Sequence, residues 1–177
     1  MHDGRVTELE EGTRLVLDFG KLAAVAASGA RVVPVVLQEA DSGDVLFIGY
    51  ANEEALEASL REGIAVLWST SRNELWRKGA TSGDVLELTD IRVNCEQNSL
   101  LYLVRRTTGG ACHTLLPSGS ARPGCFYRTI ADGMALQHLA LLFRPGCYSG
   151  RAGSNLPRPF VLPAGPPAGW GETAAYV

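Results

Sequence analysis

The sequence predicts an α+β protein, with a mainly antiparallel β-sheet core and a few short helices. Three observations carry this. Two β-rich runs, 32–37 and 45–50, flank the turn cluster Asp41-Ser42-Gly43-Asp44, which is a hairpin pattern. A short, well-capped helical segment follows at 53–62. Further apolar runs at 65–68, 85–94 and 100–106 are separated by polar, turn-rich stretches, so strands are expected to pair with near neighbours.

Taken in order, residues 13–29 carry Leu15, Val16, Leu17, Phe19, Leu22 and Val25 and read as a mostly buried, helical segment interrupted by Gly20. Pro34 lacks an N–H, so it places the first strand at a sheet edge or delays its start. Asn52 is a good N-cap, Glu53 and Glu54 favour the positive end of the helix dipole, and Gly63 stops the helix. Ala65-Val66-Leu67-Trp68 is a strand, and residues 69–84 are polar and turn-rich. Strands follow at 85–94 and 100–106, then a loop at 117–124. Residues 131–143 have the composition of a second helix, with His138 in it as an ordinary core or surface histidine. The last 34 residues hold six of the nine prolines and six glycines, the composition of an extended arm. The expected organisation is an N-terminal apolar segment (1–30), a catalytic domain (31–143) and a C-terminal arm (144–177).

A chain of 177 residues with 46% hydrophobic and 20% charged residues can bury one core, which excludes a disordered protein or a coiled coil. The net charge of −3 does not fit a general nucleic-acid binder. No apolar run approaches a membrane span, and the polar, acidic N-terminus lacks the order of a signal peptide. A cytoplasmic location is expected, where the four cysteines serve as thiols, metal ligands or catalytic groups.

Chemistry concentrates in three places. Cys95, Cys112 and Cys125 fall at strand ends or in loops, with His113 beside Cys112. Spacing alone leaves two readings open: buried structural thiols, or a three-cysteine zinc site with an open position and His113 as general acid–base. Cys147, in the C-terminal arm, is read as a bystander. The stretch 68–83 combines Trp68 and Trp76 with Arg72, Arg77, Lys78, Thr81, Ser82 and the glycines Gly79 and Gly83. It fits either a phosphate-binding turn with a base-stacking tryptophan or a solvated turn whose tryptophans enter the core. In Asn94-Cys95-Glu96-Gln97-Asn98, the oxygen-bearing side chains alternate with Cys95. An extended segment would turn 94, 96 and 98 to one side and Cys95 to the other. One carboxylate and two amides make a weak magnesium site, and a polar turn is the simpler reading.

Together these motifs resemble the phosphoribosyl-AMP cyclohydrolase family of histidine biosynthesis. The resemblance spans about Asp44 to Arg128 and rests on Tyr50-Ala51-Asn52-Glu53-Glu54-Ala55-Leu56, Trp68-Ser69-Thr70-Ser71-Arg72, Glu74-Leu75-Trp76-Arg77-Lys78-Gly79-Ala80-Thr81-Ser82-Gly83, Ala111-Cys112-His113-Thr114 and Cys125-Phe126-Tyr127-Arg128, in the family's order. It implies an intertwined homodimer with a shared active site. It also implies zinc held by Cys95, Cys112 and Cys125, with Cys95 supplied by the opposite subunit. His113 is then the base or proton shuttle, and zinc-activated water adds to C6 of the adenine ring of N1-phosphoribosyl-AMP. The purine nucleotide would use Trp68, Arg72, Trp76, Lys78, Thr81, Ser82 and Arg128.

Two departures from the family pattern stand out. Where the family has an Asp-Cys-Asp-x-Asp magnesium motif, this chain has Asn94, Glu96 and Asn98, so Mg²⁺ is either held with help from substrate phosphate or dispensed with. The gap from Cys112 to Cys125 is also longer than usual. Two other functions stay open: a related zinc hydrolase acting on a different purine nucleotide, and a non-catalytic dimer stapled by zinc.

Overall fold

The computed structural model describes residues 8–131 and 135–139. Cys147 and the proposed arm over 144–177 lie outside the described residues, as do 132–134 and 140–143 of the expected second helix.

The first hairpin forms as its turn cluster requires. β1 (Val33–Glu39) pairs antiparallel with β2 (Val45–Ala51). Alternation along β1 sends Val35, Leu37 and Glu39 inward and Pro34, Val36 and Gln38 outward. In β2 the register slips: Leu37 faces Phe47, but Gln38 faces Val45. Leu46 is therefore an extra residue, a β-bulge that buries both Leu46 and Phe47.

α3 (Glu53–Glu62) begins as read from its caps. The Asn52 side chain accepts from the Ala55 N–H at 2.9 Å, and Gly63 ends the helix with φ 67. The buried Ser59 ties the helix to the next strand, because the Val66 N–H donates to its hydroxyl at 3.0 Å. An Asn52→Ala variant is expected to lose about 1 kcal/mol of stability in urea unfolding, and an unchanged midpoint would remove this cap from the account.

β3 (Val66–Ser69) and β4 (Glu74–Arg77) form a two-stranded sheet. β4 lies inside the stretch read as polar and turn-rich, 69–84. Its turn is made by Asn73, at φ 55, whose N–H donates to Ser69 O at 2.7 Å. β5 (Leu86–Val93) and β6 (Leu100–Arg106) form the second large hairpin, and β6 then pairs parallel with β1. The main sheet has the order β2-β1-β6-β5. The expected antiparallel character therefore holds, with one parallel pair at the centre. β1 is central, not at an edge. Pro34 is accommodated because the pairing to β6 starts only at Val35.

The core lies on one face of this sheet. Val35, Leu37, Leu46, Tyr102 and Val104 meet Ala55 of α3 and Leu67 of β3 there. The other face carries Val36, Val45, Ile48, Val93 and Leu101, and of these Val45, Ile48 and Val93 are exposed.

Two expectations are corrected. The N-terminal apolar segment is helical only in α2 (Lys21–Ala27), and α1 is a single turn at Glu8–Glu11. Nor is the segment buried: Phe19 is 91% exposed and only Val25 is buried within α2. Gly20 interrupts the helix as the propensities require, but the described core offers no surface to the other apolar side chains. The second helix is absent over 135–139. There β8 (Leu136–His138) pairs with β7 (Arg128–Ile130), and the Leu136 N–H donates to Thr13 O at 2.7 Å. A short apolar run does not distinguish helix from strand, and tertiary hydrogen bonding decides it here.

Candidate active site

The segment between Cys112 and Cys125 folds back on itself. The Ala111 and Cys112 N–H groups both donate to Arg122 O, the Arg122 N–H returns to Thr114 O, and Leu115 bridges to Ala121. Cys125 is then seated by the β-bulge, its N–H donating to Leu46 O at 2.7 Å. Gly124 permits this approach, since a Cβ there would lie 3.0 Å from that same carbonyl oxygen.

The two thiols end 3.6 Å apart. Cys112 is 3% exposed and lies 3.1 Å from the Thr114 hydroxyl. Its thiol is brought down to about 5, first by the hydrogen bond from Cys125, while burial opposes the shift; Thr114 and the charge of His113 assist. Cys125 is pushed up, by holding that proton and by burial. The proton between them therefore sits on Cys125, and Cys112 is the more acidic of the two.

Lys78 is buried beside them, its ammonium lowered by desolvation and raised in turn by Asp84 and by both cysteines. It follows β4 because its N–H donates to Ala65 O. Gly79 turns the chain at φ 88, where a Cβ would strike the Asp84 backbone at 2.4 Å.

Cys95 is placed elsewhere. It is exposed in the β5–β6 turn, at the end of the sheet where β6 starts. The thiol pair follows the other end of β6 and rests on the start of β2. Among the described residues no three His, Cys, Asp or Glu side chains gather to hold a metal within one chain. The segment 94–98 is a turn and not an extended strand, so the simple alternation of its side chains does not apply. Its polar groups bond to one another instead. Asn94 Oδ1 accepts from the Asn98 and Ser99 N–H groups, Asn94 Nδ2 donates to Asn98 Oδ1, and Asn98 Nδ2 donates to Glu96 Oε2 at 2.9 Å. One carboxylate, already accepting a hydrogen bond, fits a hard divalent cation poorly.

His113 meets Glu10 at 2.7 Å through Nε2. Arg128 donates to Gly12 O and Leu9 O, and Tyr127 donates to Glu10 O. Arg122 donates to both carboxylate oxygens of Glu11, at 3.0 and 2.9 Å. Arg122, Tyr127, Glu10 and Glu11 were not singled out from the sequence. Only the string Cys125-Phe126-Tyr127-Arg128 pointed to this corner, and no local pattern marks α1 as its neighbour.

In the tryptophan-rich segment, Trp76 lies against the core, its ring 6.0 Å from that of Phe47. The indole N–H of Trp68 is buried without a partner among the described residues. Arg77 donates twice to Glu62, each at 2.8 Å, raising Arg77 and lowering Glu62. Arg72 pairs with Glu74 at 2.9 Å on the surface. Thr81 and Ser82 are exposed on the turn after Gly79.

A pair of thiols beside a buried ammonium and an imidazole suits a hydrolase that handles a charged substrate. The family model for phosphoribosyl-AMP cyclohydrolase matches residues 47–127. The phosphoribosyl-AMP cyclohydrolase of Halobacterium salinarum is 47% identical over 117 residues, covering 66% of this chain and 84% of the relative. That of Marinobacter nauticus is 45% identical, covering 58% and 70%. That of Archaeoglobus fulgidus is 43% identical, covering 56% and 85%. This chain belongs to the phosphoribosyl-AMP cyclohydrolase family.

Proposed function

We propose that this protein hydrolyses the N1–C6 bond of the adenine ring in N1-phosphoribosyl-AMP, giving the formimino imidazole carboxamide ribotide of histidine biosynthesis. The observation that carries the reading is the Cys112–Cys125 pair beside His113, in a chain 47% identical to a cyclohydrolase.

The donor chemistry fits zinc. Cys112 and Cys125 would hold it, and Cys95 of a second copy would complete the set. Zinc supplies Lewis-acid activation of water at neutral pH. His113 takes the proton from the attacking water and returns one to the opening ring. Lys78 offsets thiolate charge from its buried position, while Arg72, Thr81, Ser82 and Arg128 bind phosphate and Trp68 or Trp76 contacts the base. The catalytic domain is assigned to 31–143, preceded by the segment 1–30 and followed by the arm 144–177, and the location is cytoplasmic.

The exposed Val45, Ile48 and Val93 adjoin the Cys95 turn on the open face of the sheet, which supports a homodimer covering that face. This makes a complementation test available. Cys95→Ser and Cys112→Ser homodimers are both inactive, whereas each mixed dimer has one intact site. Statistical mixing should restore about a quarter of wild-type turnover, half of the dimers carrying half of their sites. Mixtures that stay inactive while exchanging subunits would place all three cysteines in one chain's site.

The direct test is turnover of N1-phosphoribosyl-AMP by zinc-loaded protein with and without Mg²⁺. Because the Asn94/Glu96/Asn98 turn fits the ion poorly, turnover is expected without it. No turnover from folded, zinc-bound protein would defeat the reading. The same variant turn favours the second reading, a zinc hydrolase for a related purine nucleotide.

A further inference from the structure

α1 is held to the site by a set of polar contacts. It has no buried residue, and Leu9 is 68% exposed. A single helical turn does not hold itself together in water. Its anchors are the bonds from Arg122 to Glu11 and from Arg128 to Gly12 O and Leu9 O. The Tyr127 hydroxyl adds a bond to Glu10 O, and His113 contacts the Glu10 carboxylate. His138 adds a contact to Glu11 Oε2 at 3.3 Å.

The receiving side is a built anion cradle. Arg122 is 6% exposed, with its guanidinium 4.3 Å from the Tyr127 ring centroid; that of Arg128 lies 5.4 Å from the same ring. β7 and β8 hold Arg128 opposite His138. Glu11 does not satisfy this cradle. Its carboxylate takes one guanidinium nitrogen, and the buried Arg122 Nε keeps no partner among the described residues. A phosphate dianion brings more charge and a third oxygen, enough to reach a second nitrogen of the fork.

We propose that Arg122, His138 and Arg128 form a subsite for a phosphomonoester of the substrate. Glu11 is its internal occupant, and residues 8–12 form a strap that must leave before the phosphate enters. The same departure frees His113 from Glu10. The proposal rests on the phosphorylated substrate of the preceding section, but its test does not use turnover.

The probe is ribose 5-phosphate, titrated calorimetrically into zinc-loaded full-length protein, with unphosphorylated ribose as control. In the wild type, saturating ribose 5-phosphate should speed amide hydrogen exchange over residues 8–12. Glu11→Gln should bind the probe about tenfold more tightly, as expected if the open form is roughly one molecule in ten and the competitor is removed. Arg122→Gln should weaken binding by a similar factor. Unchanged or weaker binding by folded Glu11→Gln overturns the proposal, as does ligand binding with no change in exchange at 8–12, or ribose binding equally well. Absence of binding to the wild type and to Glu11→Gln overturns it too. Should Glu11→Gln fail to fold, the wild-type exchange measurement decides. If the probe behaves as expected while N1-phosphoribosyl-AMP is not turned over, the subsite stands and the assigned substrate falls.

Discussion

Cys112→Ser is expected to lower kcat/KM by at least about a thousandfold, roughly 4 kcal/mol of transition-state stabilisation, and to reduce zinc content in parallel. Cys112 is the thiol proposed above as a zinc ligand, and the fold makes it the more acidic of the pair. It is 3% exposed, accepts the Cys125 hydrogen bond at 3.6 Å, and is brought down to about 5 chiefly by that bond. A serine hydroxyl is nearly isosteric but stays protonated, and zinc binds the deprotonated form. Far-UV circular dichroism separates loss of metal from loss of fold. Full zinc occupancy with normal turnover would show that the thiol pair is structural.

His113→Ala is the second large effect. A drop in kcat of about 10² to 10⁴ is expected, with zinc content retained, because removing the proposed proton-transfer group leaves the three cysteines untouched. Its exposed imidazole, held by Glu10 at 2.7 Å, has no part in the core, so the variant should unfold at the wild-type temperature. Lost zinc would recast His113 as a ligand, and an unchanged rate would remove it from the chemistry.

The sequence was most informative where one residue dictates one conformation. Asn52 and Gly63 bound α3 because a cap and a left-handed stop are local devices. The turn cluster at 41–44 likewise announced the β1–β2 hairpin. The reading was least informative where distant segments decide. Residues 136–138 form a strand because β7 and Thr13 supply partners, and nothing within the segment encodes those partners. The β-bulge at Leu46, which seats Cys125, is invisible in a run of apolar residues. For the site, the cysteines were legible as types at loop positions, and the family motifs added their roles. The carboxylates that reach His113 and Arg122 were not legible, because Glu10 and Glu11 belong to a polar stretch with no pattern of its own.

The parallel β1–β6 pair has a consequence for how the molecule assembles. β1–β2 and β5–β6 are local hairpins that can form independently. Pairing Val35 with Leu100 must close the long intervening chain, and contacts of that span come late. Only then do the loop after β6 and the carbonyl of Leu46 lie side by side to receive Cys125. On the zinc reading proposed above, metal capture would therefore be a finishing step and not a nucleating one. Zinc present from the start of refolding should leave the main folding rate unchanged while slowing subsequent unfolding.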